Sequence, residues 1–546
     1  MKKIISFLLI VLTTSALTAQ LKVGNIDLNF GDPITSKDGE VIQIAGEFDG
    51  TVYALARQKN NFYLQTFDAS TKAFKTSALL KFDKINGSKL QVEDLAVVGK
   101  KVFLMLSYYD KKDKTYNFVA KEISGEKIVK TTTVVSEEVE SNKKKGTFVF
   151  TKSYDDYNYL ITHVAINSRK EELKYTVTLL DDALTKVVYD TYEIVYDEKN
   201  RQYFDFSDVQ VNEHGDVLIA TTESYRDKKL KTNINNITIH AYLANKDYKK
   251  QETKVVLTGK RALNCGMLET KDNTLHAIGF YSDLKKSGRA ESTIEGIYDV
   301  SFNYTTGEVI KQTFNDFTVA VKEQLIGERR AKKGKDLQPY YSNIAFIERD
   351  NGGVIVMSEY KLIVEGRSSG FGPLSITPYT YITNEIIVTA LNQDGTLDWS
   401  NVLPKEQQVT VSELGFTFGF LGGSGGVSVS AGLYFPLTIL GNGPEYLSAI
   451  PIYHDGKLTV IVNDDPKNIG ITKMDDVKKV RNVKKMIPVA FSFDPKTGEI
   501  SRTDPEEFEK KQIVVRPATR YRVNSNSYLI YGGNNKGNSL GDLILN

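Results

Sequence analysis

One pattern constrains this chain more than any other: a loose repeat of roughly 45 to 65 residues, the spacing that marks propellers and arrays. Each unit holds a strand, an Asp/Asn/Gly corner, a second strand, a third ending in a charged turn, and a more polar fourth. "FSDVQVNEHGDVLIATTESY" followed by "NITIHAYLANKDYKKQETKVVL" is one copy. "SNIAFIERDNGGVIVMSEYKLIV" with "NEIIVTALNQDGTLDWSNVL" is another, and "LSAIPIYHDGKLTVIVND" with "MIPVAFSFDPKTGEISRT" a third. The corners "EHGD", "DNGG" and "HDGK" carry tight-turn chemistry, since Gly supplies positive φ and Asn or Asp bonds the turn backbone. Units fall at 41–82, 91–134, 147–196, 203–257, 262–315, 339–407 and 446–504.

A chain of 546 residues outgrows one ordinary core, and a closed array of small sheets is the exception that reaches this size as one unit. The tail after residue 511 supplies three strands and "LKVGNIDLNF" near the start supplies one. Pairing the two ends would complete a blade and remove the exposed edges. The expectation is an all-β propeller of eight four-stranded blades closed by its N- and C-terminal strands, with seven blades the alternative. Residues 20–546 would form this single domain, with insertions at 315–338, 367–382 and 413–445. The first of these, "NDFTVAVKEQLIGERRAKKGKDL", has partly helical spacing and then a basic run, and reads as a short helix with a solvated charged loop.

The opening "MKKIISFLLIVLTTSALTAQ" has the basic, apolar and small-residue zones of a secretory signal peptide over residues 1–19. Cleavage is expected after Ala19, or alternatively after Ala16, and export to the periplasm or cell surface follows. The single cysteine, Cys265, leaves no internal disulfide and reads as a buried, inert thiol. With 70 basic against 68 acidic residues the net charge is +2, which offers no footprint for nucleic acid. Residues 415–444 could reach across a bilayer, but their Gly, Ser and Thr content and two prolines argue against a spanning helix, so no integral membrane protein is expected.

No motif for catalysis, cofactor or metal stands out. The five histidines lack ligand spacing; His214 and His454 sit in corners, where they read as turn residues. Asp464 and Asp465 in "VNDDPKN" lack calcium-loop spacing. "GGSGG" at 422–426 has neither the GK[ST] ending of a phosphate loop nor the GxSxG pattern of a nucleophile elbow. The same stretch joins "FTFGF" to "VSVSAGLYF", as a β-hairpin with one apolar face would. With the uncharged "SSGFGPLSITPYTYITN" at 368–384, it would bring Phe416, Phe418, Phe420, Leu433, Tyr434, Phe435, Phe371, Tyr379 and Tyr381 to one end of the ring. Together they form either a contact patch for a partner or an internal cap.

The phrases "YYSNIAFIERDNGGVIVMSEYK", "NEIIVTALNQDGTLDWSNVLPKEQ" and "YHDGKLTVIVNDDPKNIG" resemble an uncharacterised family of exported proteins from Bacteroidota-type bacteria, over roughly residues 310–500. The resemblance implies a propeller-like exported protein and brings no catalytic residues; Trp399 and the run Pro404, Lys405 and Gln407 then read as structural. The function expected is non-enzymatic binding or scaffolding in the cell envelope, with an envelope protein or outer-membrane component as partner. A propeller enzyme or lectin acting on glycan or peptide in the central funnel is the alternative, and a glycan-binding adhesin a third.

Overall fold

Runs such as "VLIATTESYRD" (Val217–Asp227) and "TNINNITIHAY" (Thr232–Tyr242) crowd β-branched and aromatic residues between turn formers, which suits a pleated, half-buried surface better than a helix. A computed structural model describes residues 19–34, 39–167, 172–195, 203–367, 376–414, 427–429, 443–480, 482–508, 513–534 and 537–546. Among the described residues the strands form eight sheets whose blade strands pair antiparallel, and in seven of them those strands follow the chain in order from first to last. The blades occupy residues 40–79, 91–138, 147–195, 203–256, 260–316, 341–403 and 449–503, and blade eight combines both chain ends.

Blade eight differs in detail from the expectation. Its three C-terminal strands, Val514–Arg522, Ser527–Asn534 and Gly537–Leu545, are joined by two N-terminal strands, Ile26–Phe30 and Ala19–Val23. Ile26 pairs with Leu545 and Phe30 with Gly541, so the ring is closed as expected. The outermost strand was missed because "LKVGNIDLNF" hides a hairpin turn: Gly24 takes φ +60 and lets Val23 pair with Ile26. Gly532 and Gly541 leave room for the ring of Phe30, which a Cβ at either position would meet below 3 Å.

Propeller stability resides between blades. Among the described residues eight apolar clusters sit one at each interface around the ring, in place of a single central core. The joint between blades eight and one holds Val41, Val52 and Phe67 against Leu529, Tyr531 and Leu540. First strands of neighbouring blades are also bonded near the axis. The Gln43 side chain accepts from the Leu95 amide (3.1 Å), and Asp208 accepts from that of Met267 (2.8 Å).

Strand direction alternates within each blade, so second-to-third links and blade-to-blade links all emerge on one face of the ring. The three insertions therefore share that face. Residues 315–338 contain helix α1 (Val319–Ile326), capped by the Thr318 hydroxyl, and the short α2 (Glu328–Ala331). Val321 packs against Ile294 and Leu337, while Lys322 bridges Glu295 (3.5 Å) and Asp336 (2.8 Å); the basic run beyond stays exposed. In blade six the long strand Ile376–Leu391 projects past the blade and pairs along its first half with Gln407–Leu414.

Candidate functional site at the mouth of the ring

Ile376 is the register partner of Leu414, which puts the departure points of the two uncharged segments side by side. A Cβ on Gly443 would lie 2.5 Å from the Val409 side chain, so the chain returns beside the strand it left. Between those points, Val427–Val429 runs parallel to Phe204–Phe206 on the first strand of blade four. The hairpin expected between "FTFGF" and "VSVSAGLYF" lies mostly outside the described residues; the "VSV" segment adds to the axis-facing edge of blade four, two positions from blade six around the ring. An inner strand offers an unpaired edge there, and an uncharged chain can take it without burying charge.

Of the expected contact residues, Phe371, Phe416, Phe418, Phe420, Leu433, Tyr434 and Phe435 lie outside the described residues. Tyr379 is half-buried, and Tyr381, 2 % exposed, packs with Val411, Tyr446 and Val480. Tyr381 therefore leaves the set of exposed rings. Its strand faces inward at that position because the projecting arm folds down onto the segment before blade seven.

Two adjoining cavities open on the same face between blades four, five and six. The polar one, about 140 Å³, is lined by Asp205, Thr222, Glu223, Ser224, Asn235 and Arg261. The other, about 260 Å³, has Phe280, Ile294, Pro339 and Tyr341 in its wall and shares Arg261 and Leu263 with the first. The first strand of blade five is broken here, into Lys260–Ala262 and Gly266–Glu269. The break folds inward because the Asn264 side chain accepts from the Phe280 amide (2.6 Å), against a glycine: a Cβ on Gly279 would lie 2.1 Å from the Asn264 carbonyl oxygen. Gly279→Ala should cost on the order of 1–3 kcal/mol through overpacking, read as a lower urea midpoint with unchanged slope; an unaltered midpoint would remove this account of the break.

Around these cavities the charges are mostly spoken for. Glu223 accepts from Asn236 (2.8 Å) and Lys254 (2.7 Å), and Asp205 from the Ser207 hydroxyl (3.0 Å). The Tyr341 hydroxyl donates to Glu385 (2.5 Å); burial first, then that carboxylate, raises the Tyr341 pKa, and burial raises that of Glu385. Burial also pushes Asp208, three residues beyond Asp205 on the same strand, up to about 6.

Residues singled out elsewhere have structural roles. Cys265 is buried, and burial pushes its thiol up to about 12. In the corner of blade four the Asn212 side chain, not His214, accepts from the amides of His214 (3.0 Å) and Asp216 (2.8 Å). Asp464 pairs with Arg502 (2.7 Å) and Asp465 caps a short helix, which explains "NDDPKN" without calcium. Trp399 stacks on Phe493 at 6.0 Å and donates to the Pro495 carbonyl across the joint between blades six and seven. Lys405 proves to be more than a turn residue: it is fully buried, 2.9 Å from the equally buried Glu359. A lysine in a polar turn gives no sequence sign of such burial.

The described residues thus form an eight-bladed β-propeller with its insertions on one face. No protein-family model and no curated protein sequence matches the chain. Among solved structures it is similar to the Dos1 propeller (9% identity, 95% of each chain, TM-score 0.40). It is also similar to the WD40 domain of SCAP from fission yeast (7% identity, 95% of this chain and 98% of that one, TM-score 0.32). A protein of unknown function from Bacteroides caccae aligns over 64% of this chain and 93% of its own at 10% identity (TM-score 0.24). These likenesses concern the fold alone.

Proposed function

We propose that this protein is an exported, non-enzymatic binding protein of the cell envelope that docks a partner through the insertion-bearing face of its propeller. The observation that carries the reading is the pairing of Ile376 with Leu414, by which two uncharged segments leave the ring from one point. The corners at Asp68, Asp181 and Asp494, by contrast, are short, closed by their own Asp side chains, and offer little to a partner. Membership of an exported Bacteroidota-type family belongs to the same reading and rests on the phrases between residues 310 and 500.

The test replaces residues 415–442 with a short Gly/Ser linker. A specific protein co-purifying with the tagged full chain from its native envelope should be lost with the replacement, while the thermal transition stays within about 2 °C. Loss of the transition along with capture would overturn docking and assign the segment to capping the ring.

A further inference from the structure

Arg261 is a cation at the meeting point of the two cavities. It lines both cavities at the mouth, is half-buried, and has neither an ion-pair partner nor a side-chain hydrogen bond among the described residues. A guanidinium held out of bulk water with its fork of donors unused is arranged for a planar anion, and a carboxylate fits it in two parallel bonds. The two cavities that meet at Arg261 differ in chemistry. One side carries the carboxylates of Asp205 and Glu223, the hydroxyls of Thr222 and Ser224 and the amide of Asn235, a lining that suits a nitrogen donor; Asn235 is 2 % exposed, its Nδ2 donates to the Lys260 carbonyl (3.0 Å), and its Oδ1 has no partner among the described residues. The other is floored by Phe280 and Ile294, each 1 % exposed, and walled by Pro339 and Tyr341.

We propose that this double cavity binds an apolar α-amino-acid unit with a free carboxylate, either a free amino acid or the C-terminal residue of a peptide. The carboxylate would sit on Arg261, the amine or amide nitrogen in the polar cavity toward Asn235, and the apolar side chain over Phe280 and Ile294. A cavity of about 260 Å³ accommodates a leucine- or phenylalanine-sized side chain. Acid, nitrogen and apolar group branch from one carbon in such a unit, as the three surfaces branch from Arg261. This goes beyond docking by the insertions and is tested apart from it, since residues 415–442 take no part in the assignment.

The experiment is calorimetric titration of the full chain with acetyl-glycyl-leucine, the same dipeptide amidated at its C-terminus, acetyl-glycyl-glycine, free leucine and glucuronate. Acetyl-glycyl-leucine or leucine should bind, amidation should weaken binding about tenfold or more, and the glycine analogue should bind more weakly. Binding of free leucine as tight as the dipeptide identifies an amino-acid site, and binding of the dipeptide alone a peptide-end site. Arg261→Gln should lose about tenfold or more and Arg261→Lys part of that, both with an unmoved thermal transition because the guanidinium holds nothing in the fold. Equal affinity for acid and amide, unchanged binding by Arg261→Gln, binding of glucuronate alone, or no binding of either leucine probe would each overturn the proposal.

Discussion

A chain beginning at Gly31 is expected to lose the cooperative unfolding of the intact ring. The two outer strands of blade eight would be missing, and with them Leu21, Val23, Ile26, Leu28 and Phe30, all buried and packed with Ile450, Ile452 and Ile461 of blade seven. Five such side chains, at about 1.5–3 kcal/mol each, represent on the order of 10 kcal/mol of burial. That equals the whole net stability of a typical domain, about 5–15 kcal/mol. The edge of Gly537–Leu545 would also be bared, inviting strand exchange between copies. Thermal unfolding by circular dichroism, with aggregation followed by light scattering, checks this. A synthetic peptide of residues 19–30 added in trans should restore part of the transition by refilling the same edge. A truncated chain melting like the full one would mean that the N-terminal strands are dispensable and that closure by the chain ends is not what holds the ring.

The second large effect is at Lys405. Its ammonium bonds the Thr383 carbonyl (3.0 Å) and Gln407 Oε1 (3.2 Å) besides Glu359, while Glu359 also meets Lys361 (3.1 Å) and the Ser448 hydroxyl (2.8 Å). Burial alone would raise the Glu359 pKa, but Lys405 and Lys361 outweigh it and hold the carboxylate below its usual range; burial lowers that of Lys405. Lys405→Met leaves the buried carboxylate with Lys361 as its remaining ion-pair partner and should cost about 3–5 kcal/mol, a fall in melting temperature on the order of 3–5 °C for a chain of this size. With Lys405 gone, burial is opposed mainly by Lys361 and the Ser448 hydroxyl, and the Glu359 pKa moves up from its depressed value. A depressed carboxyl contributes stability that is present above the unfolded pKa and lost as pH falls through the folded one. The deficit of the variant should therefore be larger at about pH 7 than at about pH 3. Adding Glu359→Gln to Lys405→Met should recover part of the loss, since a neutral amide is cheaper to bury than an under-compensated charge. A single variant melting within 1 °C of the parent at pH 8 would show the pair to be unimportant.

Local chemistry made the blades readable. Strand boundaries such as Tyr203 to Val256 for blade four and Ala449 to Thr503 for blade seven lie within about three residues of the units read from turns and alternation, because corners such as "NEHGD" and "DPKTGE" are closed by their own side chains. The helix at 319–326 was visible for a similar reason: the apolar spacing that marks it is contiguous in the chain. The second N-terminal strand escaped notice because a two-residue Gly–Asn turn interrupts what looks like one extended run.

What the chain decides residue by residue, without its fold, is therefore the strand, the corner and the number of times they recur; these depend on interactions spanning a few neighbours. Where Lys405 meets Glu359, 46 positions earlier, where Val427–Val429 finds Phe204–Phe206, and where Arg261 is left unpaired beside Phe280 and Asn235 were decided only when the blades closed. Burial and pairing are properties of the space between elements, and one-dimensional order carries little information about that space.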